Sequence, residues 1–407
     1  MRVGIRPYPY PYKAAFSFCN DPDLMTKERY LFLKDLFQNF PASSPSSKTG
    51  LPYCESFFVF NENPYHPEQI SLQSHPDLLI PDVESGYLKV LHSWGDFNFN
   101  PVFNREYAHR GFEILKKLRD KPSVWVNHGT LHNLQNIGAG RGYGDAKEYI
   151  DGSSLSYQTK EYHIDYTHQL GIHFFWLEDL TLVAGQNVKL TAKMLWDSRP
   201  ENQRKPKKTE GLLKNLAKRH FYLPIKAKYT SNSLLREKKL RDGSKIFKFV
   251  RFGSHDLATA DELIKIIPPV VIDALINKEG VMVIYTHLAK TAMAPDKMTD
   301  DSLEVLKYLK ERYDSGDLWV CRVDKLLEYE MIRDSLNFQV QGDQITITEF
   351  SNEAKGNIDL PVEKLSGLCF YCNRPEKVNI YYKNKSLTLQ PNPKDSHGKP
   401  SVTIVSK

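Results

Sequence analysis

Two histidines, His128 and His132, stand four residues apart in Trp125-Val126-Asn127-His128-Gly129-Thr130-Leu131-His132-Asn133, directly after the apolar run 123–126. Four residues is just over one helical turn, so the two imidazoles would lie one above the other on a single face. Such a pair is half a site for Zn²⁺ or a similar borderline divalent metal, which takes nitrogen donors at about 2.0–2.1 Å. The spacing alone is weak, because any histidine-bearing helix produces it, and surface histidines with no ligand role are the plain alternative. Carboxylates and a third histidine elsewhere in the chain give it weight.

Those groups lie at the ends of other strand-like runs. Residues 13–18 read as a strand that stops in Cys19-Asn20-Asp21-Pro22-Asp23, where Pro22 removes a donor and pushes Asp21 out of helical geometry. Two carboxylates therefore share one tight loop; a turn with an N-cap is the non-functional alternative. A continuous apolar run, Gly280-Val281-Met282-Val283-Ile284-Tyr285-Thr286-His287-Leu288, has the character of a strand covered on both faces and ends on His287.

The elements that must position these groups alternate. Helical patterns are predicted over 26–37, 105–119, 157–170, 258–266, 270–277, 300–313 and 323–332. Strands are predicted over 13–18, 55–60, 123–126, 171–177, 246–251, 280–288 and 318–321. Strands alternating with helices imply parallel β/α units, here a distorted parallel (β/α) barrel of the α/β class over residues 1–335. From about Asn337 short period-2 strands take over, so residues 336–407 are expected to form a small all-β, sandwich-like appendage. In a β/α barrel the C-terminal strand ends form one face. Asp21, Asp23, His128, His132 and His287 would converge there, two imidazoles and a carboxylate making a metal triad with open positions.

The chain has 407 residues and a formal net charge of +6. The excess is local: residues 199–245 are dense in Lys and Arg, as in Arg204-Lys205-Pro206-Lys207-Lys208, and read as a solvated insertion. An anionic glycan or a membrane surface is its minority partner; no nucleic-acid module accompanies it, so nucleic acid is not expected. Five cysteines are too few and scattered for a disulfide framework, and Cys369-Phe370-Tyr371-Cys372 reads as a packed strand with no second pair to complete a zinc site. There is no signal-like apolar stretch and no run of membrane-spanning length, so a cytoplasmic protein, or a mature form whose leader was removed, is expected, with peripheral membrane association open to it.

The combination and order of these motifs resembles the polysaccharide deacetylase family (NodB-like, carbohydrate esterase family 4) over roughly residues 10–335. The family's Thr-Phe-Asp-Asp strand end corresponds loosely to Ser17-Phe18-Cys19-Asn20-Asp21-Pro22-Asp23, its His-(Ser/Thr)-x-x-His motif to His128 through His132, and its late strand with histidine to Val283–Leu288. Aligned without a gap, the family's two aspartates fall on Cys19 and Asn20. A shift of two residues puts Asp21 at the base position and Asp23 at the metal position, with the exchanged assignment left open. The resemblance implies one divalent ion, Zn²⁺ first and Co²⁺ or Ni²⁺ as alternatives, held by Asp23, His128 and His132. His92, Trp94 and Asp96, in His92-Ser93-Trp94-Gly95-Asp96, are candidates for the substrate cleft. Arg251 or Arg199 would stand for the family's substrate arginine, and Trp94, Trp176 and Tyr285 could stack on sugar rings, core packing being the expectation for Trp176.

The reaction implied is hydrolysis of an acetamide. The metal lowers the pKa of water to roughly 7, Asp21 takes the proton and His287 protonates the departing amine. The substrate class is an N-acetylated sugar of a polysaccharide or glycolipid, anionic or lipid-linked forms included. Two other readings stand beside it: a catalytically inactive glycan-binding or scaffold barrel with Cys19 and Asn20 as relics, and a hydrolase of a non-sugar C–N bond.

Overall fold

A computed structural model describes residues 3–38, 50–97, 103–129, 133–138, 152, 160–191, 232–255, 258–352 and 356–405. In chain order its first elements are β1 (Gly4–Ile5), β2 (Ala14–Asn20), α1 (Lys27–Gln38), β3 (Glu55–Phe57), β4 (Phe60–Asn61), α2 (Pro76–Glu84), β5 (Leu88–Leu91), β6 (Gly95–Asp96), α3 (Arg105–Leu115), β7 (Val124–Val126), α4 (Ile164–Gln169), β8 (Phe174–Thr181), β9 (Leu235–Lys239) and β10 (Lys245–Phe252). After these come α5 (Pro269–Asn277), β11 (Val281–Thr286), α6 (Asp300–Asp314), β12 (Leu318–Val320) and α7 (Val323–Ser335).

Eight strands form one curled parallel sheet in the order β12-β2-β11-β10-β8-β7-β5-β3. β2 and β11 are buried along their whole length, as a parallel strand covered on both faces must be. Alternation sorts their side chains: Phe16, Phe18, Met282 and Ile284 face the helices, with Leu33, Leu36 and Phe37 of α1 in the same core. Ala15, Cys19, Val283 and Tyr285 line the other face. α1 starts where the Thr26 hydroxyl accepts from the Arg29 N–H, and α6 where Thr299 accepts from Ser302.

The α/β class expected from the sequence is present, but as a half-barrel. Among the described residues no ladder joins the two edges of the sheet. β3 instead meets β2 through side chains: Asn20 Nδ2 donates to Glu55 Oε1 at 2.8 Å and Ser56 Oγ to the Asn20 carbonyl at 2.5 Å. β10 also carries β9 as an antiparallel neighbour beside its first half, so β11 pairs it only at Phe252. The basic stretch was expected as an insertion over 199–245. Its residues 199–231 lie outside the described residues, whereas Leu235–Lys239 is a sheet strand, a correction to the solvated-insertion expectation there.

Beyond α7 the chain is almost all β. β13 (Leu336–Gln341), β14 (Gln344–Asn352), β15 (Gly356–Ile358), β16 (Cys369–Tyr371), β17 (Asn379–Tyr382), β18 (Lys385–Ser386), β19 (Leu389–Asn392) and β20 (Ser401–Ile404) make two small sheets. β14 and β17 run parallel, and β1 from the chain start completes the β16-β20-β19 sheet. These strands share one core with α7 and the inner sheet face: Ile345, Phe370 and Val402 cluster with Leu326, Val124 and Val283. No helix among the described residues is long and apolar enough to cross a membrane.

Candidate metal centre

The C-terminal ends of the parallel strands deliver the chemistry-bearing side chains to one place, as the half-barrel topology requires. Asp21 follows β2 directly, and its N–H donates to the Thr286 carbonyl at the end of β11. His92 follows β5 and donates its N–H to Phe57. His128 stands two residues past β7, and His287 one past β11. Asp23 sits on the turn after β2, where Leu24 takes a φ of +64° and its N–H reaches Gln69 Oε1 at 2.6 Å.

Three donor atoms face one another. His92 Nε2 is 3.1 Å from His128 Nδ1, His128 Nδ1 is 3.4 Å from Asp23 Oδ1, and His92 Nε2 is 3.6 Å from Asp23 Oδ1. Donors about 2.0–2.1 Å from a tetrahedral zinc ion are separated by about 3.3–3.4 Å, so these three mark out one face of such a tetrahedron. Asp23 Oδ1 is buried without a hydrogen-bond partner, an arrangement costly to a bare protein and suited to a cation. Asp23, His92 and His128 are therefore the residues that fit a borderline divalent ion.

Around them lies a second set of contacts. His128 Nε2 meets Asp96 Oδ1 at 3.0 Å, and Asp96 Oδ2 accepts from Asn63 and Gln69. This carboxylate–histidine pairing fixes which imidazole nitrogen points inward. Asn136 Oδ1 accepts the His128 N–H, and Asn133 Nδ2 donates to its carbonyl. Burial pushes His92 down to about 3, so its ring is neutral and free to ligate. For Asp23 burial pushes the carboxyl up, but His128, His287 and Lys290 outweigh it and hold the group well below the usual range.

Asp21 is a separate station. Arg251 clamps it with Nη1–Oδ1 at 2.5 Å and Nη2–Oδ2 at 3.1 Å. The guanidinium lies 3.5 Å from the Trp176 ring centroid and 4.4 Å from that of Tyr285. Asp21 Oδ1 is 3.5 Å from His92 Nδ1 and Oδ2 is 3.8 Å from His287 Nε2. Burial pushes its carboxyl up, but Arg251, then His92 and His287, bring it below the ordinary carboxylate value. His287 Nε2 also lies 3.1 Å from Asp23 Oδ2, so one imidazole faces both carboxylates.

Several sequence assignments change. The second histidine facing Asp23 and His128 is His92, placed in the substrate cleft from sequence; His132 lies outside the described residues. Asp96 orients His128 instead of lining a cleft. Trp94 is fully buried, its Nε1 donating to His163 Nδ1 at 3.0 Å, and is a core residue. Arg251 is fully buried against Asp21 and is out of reach of a substrate. Asn20 and Cys19 have structural duties: Asn20 Oδ1 accepts from Leu288 N–H and Thr286 Oγ1, and burial pushes the Cys19 thiol up to about 12. Lys290, Asn133 and Asn136 were not anticipated. His92 and Asp96 carried a usable signal, a His-x-x-x-Asp spacing straight after a short apolar strand. No family model, curated protein or solved structure matches this chain.

Proposed function

We propose that the chain is a metal-dependent hydrolase that removes acetyl groups from an N-acetylated sugar of a polysaccharide or glycolipid. The observation that supports this reading is the donor triad of Asp23, His92 and His128 at metal-ligand separation, with His287 and an ionised Asp21 beside it.

The chemistry a divalent ion would supply there is activation of water at neutral pH and polarisation of the amide oxygen. Asp21, kept ionised by Arg251, accepts the proton of the attacking water. Arg251 holds both carboxylate oxygens, which fixes the orientation of the base and limits its strength. His287 carries a proton to the departing nitrogen from its position between the two aspartates. Because His287 contacts both carboxylates, the proton accepted on one side of the site has a short path to the side where it is needed.

The test is zinc stoichiometry by equilibrium dialysis together with acetate release from a panel of N-acetylated glycans. One bound zinc per chain, acetate release, and loss of that release in Asp21→Asn with zinc retained are the expected results. Zinc binding without acetate or free amine from any substrate would instead favour an inactive binding barrel. Amine release only from non-sugar amides would move the substrate class.

A further inference from the structure

Resting on the metal-hydrolase reading, we propose that Lys290 makes this site selective for acidic substrates, by binding an anionic oxygen carried close to the scissile amide.

Lys290 Nζ lies 2.9 Å from Asp23 Oδ2, the same oxygen that faces His287 Nε2 at 3.1 Å. The carboxylate is thus divided: Oδ1 looks toward the histidine pair, and Oδ2 is shared by two nitrogen groups on the other side. An ammonium carries three N–H donors, and Asp23 takes one of them. The Lys290 side chain is 34% exposed, so it is partly open to solvent while its tip stays on Asp23.

The position is built. Lys290 donates its backbone N–H to the His287 carbonyl, and its own carbonyl accepts from Ala260. The following loop is fastened by the buried Arg29, whose guanidinium reaches the carbonyls of Leu288, Pro295 and Lys297. Asp261 accepts from Thr291 Oγ1 and the Ala292 N–H. This anchoring fixes the backbone that carries Lys290, and the bond to Asp23 Oδ2 holds the ammonium.

A simple charge partner for Asp23 explains it less well. Asp23 already faces His287, and a ligated cation would neutralise the carboxylate further, leaving Lys290 facing a dication. Leaving the histidines aside, three carboxylates (Asp21, Asp23, Asp96) would be set against a dication, Arg251 and Lys290, which leaves the loaded centre net positive. A neutral amide needs no such excess. A carboxylate or phosphate on the substrate balances it and fills the spare donors, and electrostatic complementarity of this kind sets specificity more than bulk affinity.

The experiment titrates zinc-loaded wild type, Lys290→Gln and Lys290→Arg with inorganic phosphate and with acetate by calorimetry, so that the readout does not depend on turnover. Phosphate affinity is expected to fall about tenfold in Lys290→Gln, the loss of one charge-assisted hydrogen bond, and to be largely restored in Lys290→Arg, with one zinc bound throughout. The acetate arm shows whether a carboxylate is held as well as a phosphate. KM for acidic N-acetylated sugars should rise by a larger factor in Lys290→Gln than KM for neutral oligosaccharides. Zinc bound with unchanged phosphate affinity in Lys290→Gln overturns this inference alone; failure to bind zinc overturns the hydrolase reading and this one with it.

Discussion

Asp96 Oδ1 lies 3.0 Å from His128 Nε2, across the imidazole ring from the Nδ1 that faces Asp23. Asp96→Asn is expected to weaken zinc binding about 10–100-fold, the usual effect of losing a carboxylate behind a ligating histidine. Competition against a chromophoric chelator measures this, and unchanged affinity would remove Asp96 from the site. Asn63 and Gln69 hold Asp96 in place, so the fold should be little affected.

His92→Ala should abolish stoichiometric zinc, because it removes one of the three facing donors. Trp94→Phe, two residues away, should leave the metal bound. It loses the indole bond to His163 and destabilises the fold by about 1 kcal/mol. Zinc analysis of the two variants side by side separates a ligand from a core residue.

Arg251→Met leaves the Asp21 carboxylate buried without its cation. Breaking a buried pair from one side costs about 3–5 kcal/mol, read as a lower urea midpoint. Asp21→Asn in the same chain should recover part of that loss, because the stranded charge is removed. Additive losses would show that the two side chains do not act on each other.

Glu55 sets a pH dependence. It is fully buried, and burial pushes its carboxyl up to about 7 against bonds from Tyr53, Asn20 and Ser56. The folded state therefore keeps a proton that the unfolded chain, with an ordinary Glu value of about 4.3, releases. Stability from this group is complete below the unfolded value and is lost as pH rises to the folded one. The loss amounts to about 4 kcal/mol. Urea unfolding of wild type at pH 5, 6, 7 and 8 should show the decline, and Glu55→Gln should flatten it.

Much of the scaffold was legible from sequence because burial leaves a strong mark. Val281–Thr286 is apolar at nearly every position, and a strand that ends on His287 follows from that. The pairing of Asp21 with Asp23 was legible from the proline between them. The histidine that faces His128 was not. Spacing within one segment suggested His132, which lies outside the described residues; among those described, the histidine facing His128 is His92, just past β5, brought beside β7 by the parallel ladder. No local pattern encodes which strand ends become neighbours. Arg251 was misplaced for a related reason: its role depends on Trp176 and Tyr285 from the two strands beside it, and a lone arginine in a strand shows neither.

The pairing of Gly4–Ile5 with Cys369–Tyr371, fastened by Arg6 to Asp395, ties together two segments far apart in sequence. During synthesis Gly4–Ile5 must wait until Cys369–Tyr371 has emerged before the two can pair. The hydrophobic inner surface of the half-barrel stays uncovered for the same interval. Such distant closure slows folding and prolongs exposure to aggregation. Fragments that stop before the last sheets should therefore be more prone to clumping than their own content of secondary structure suggests.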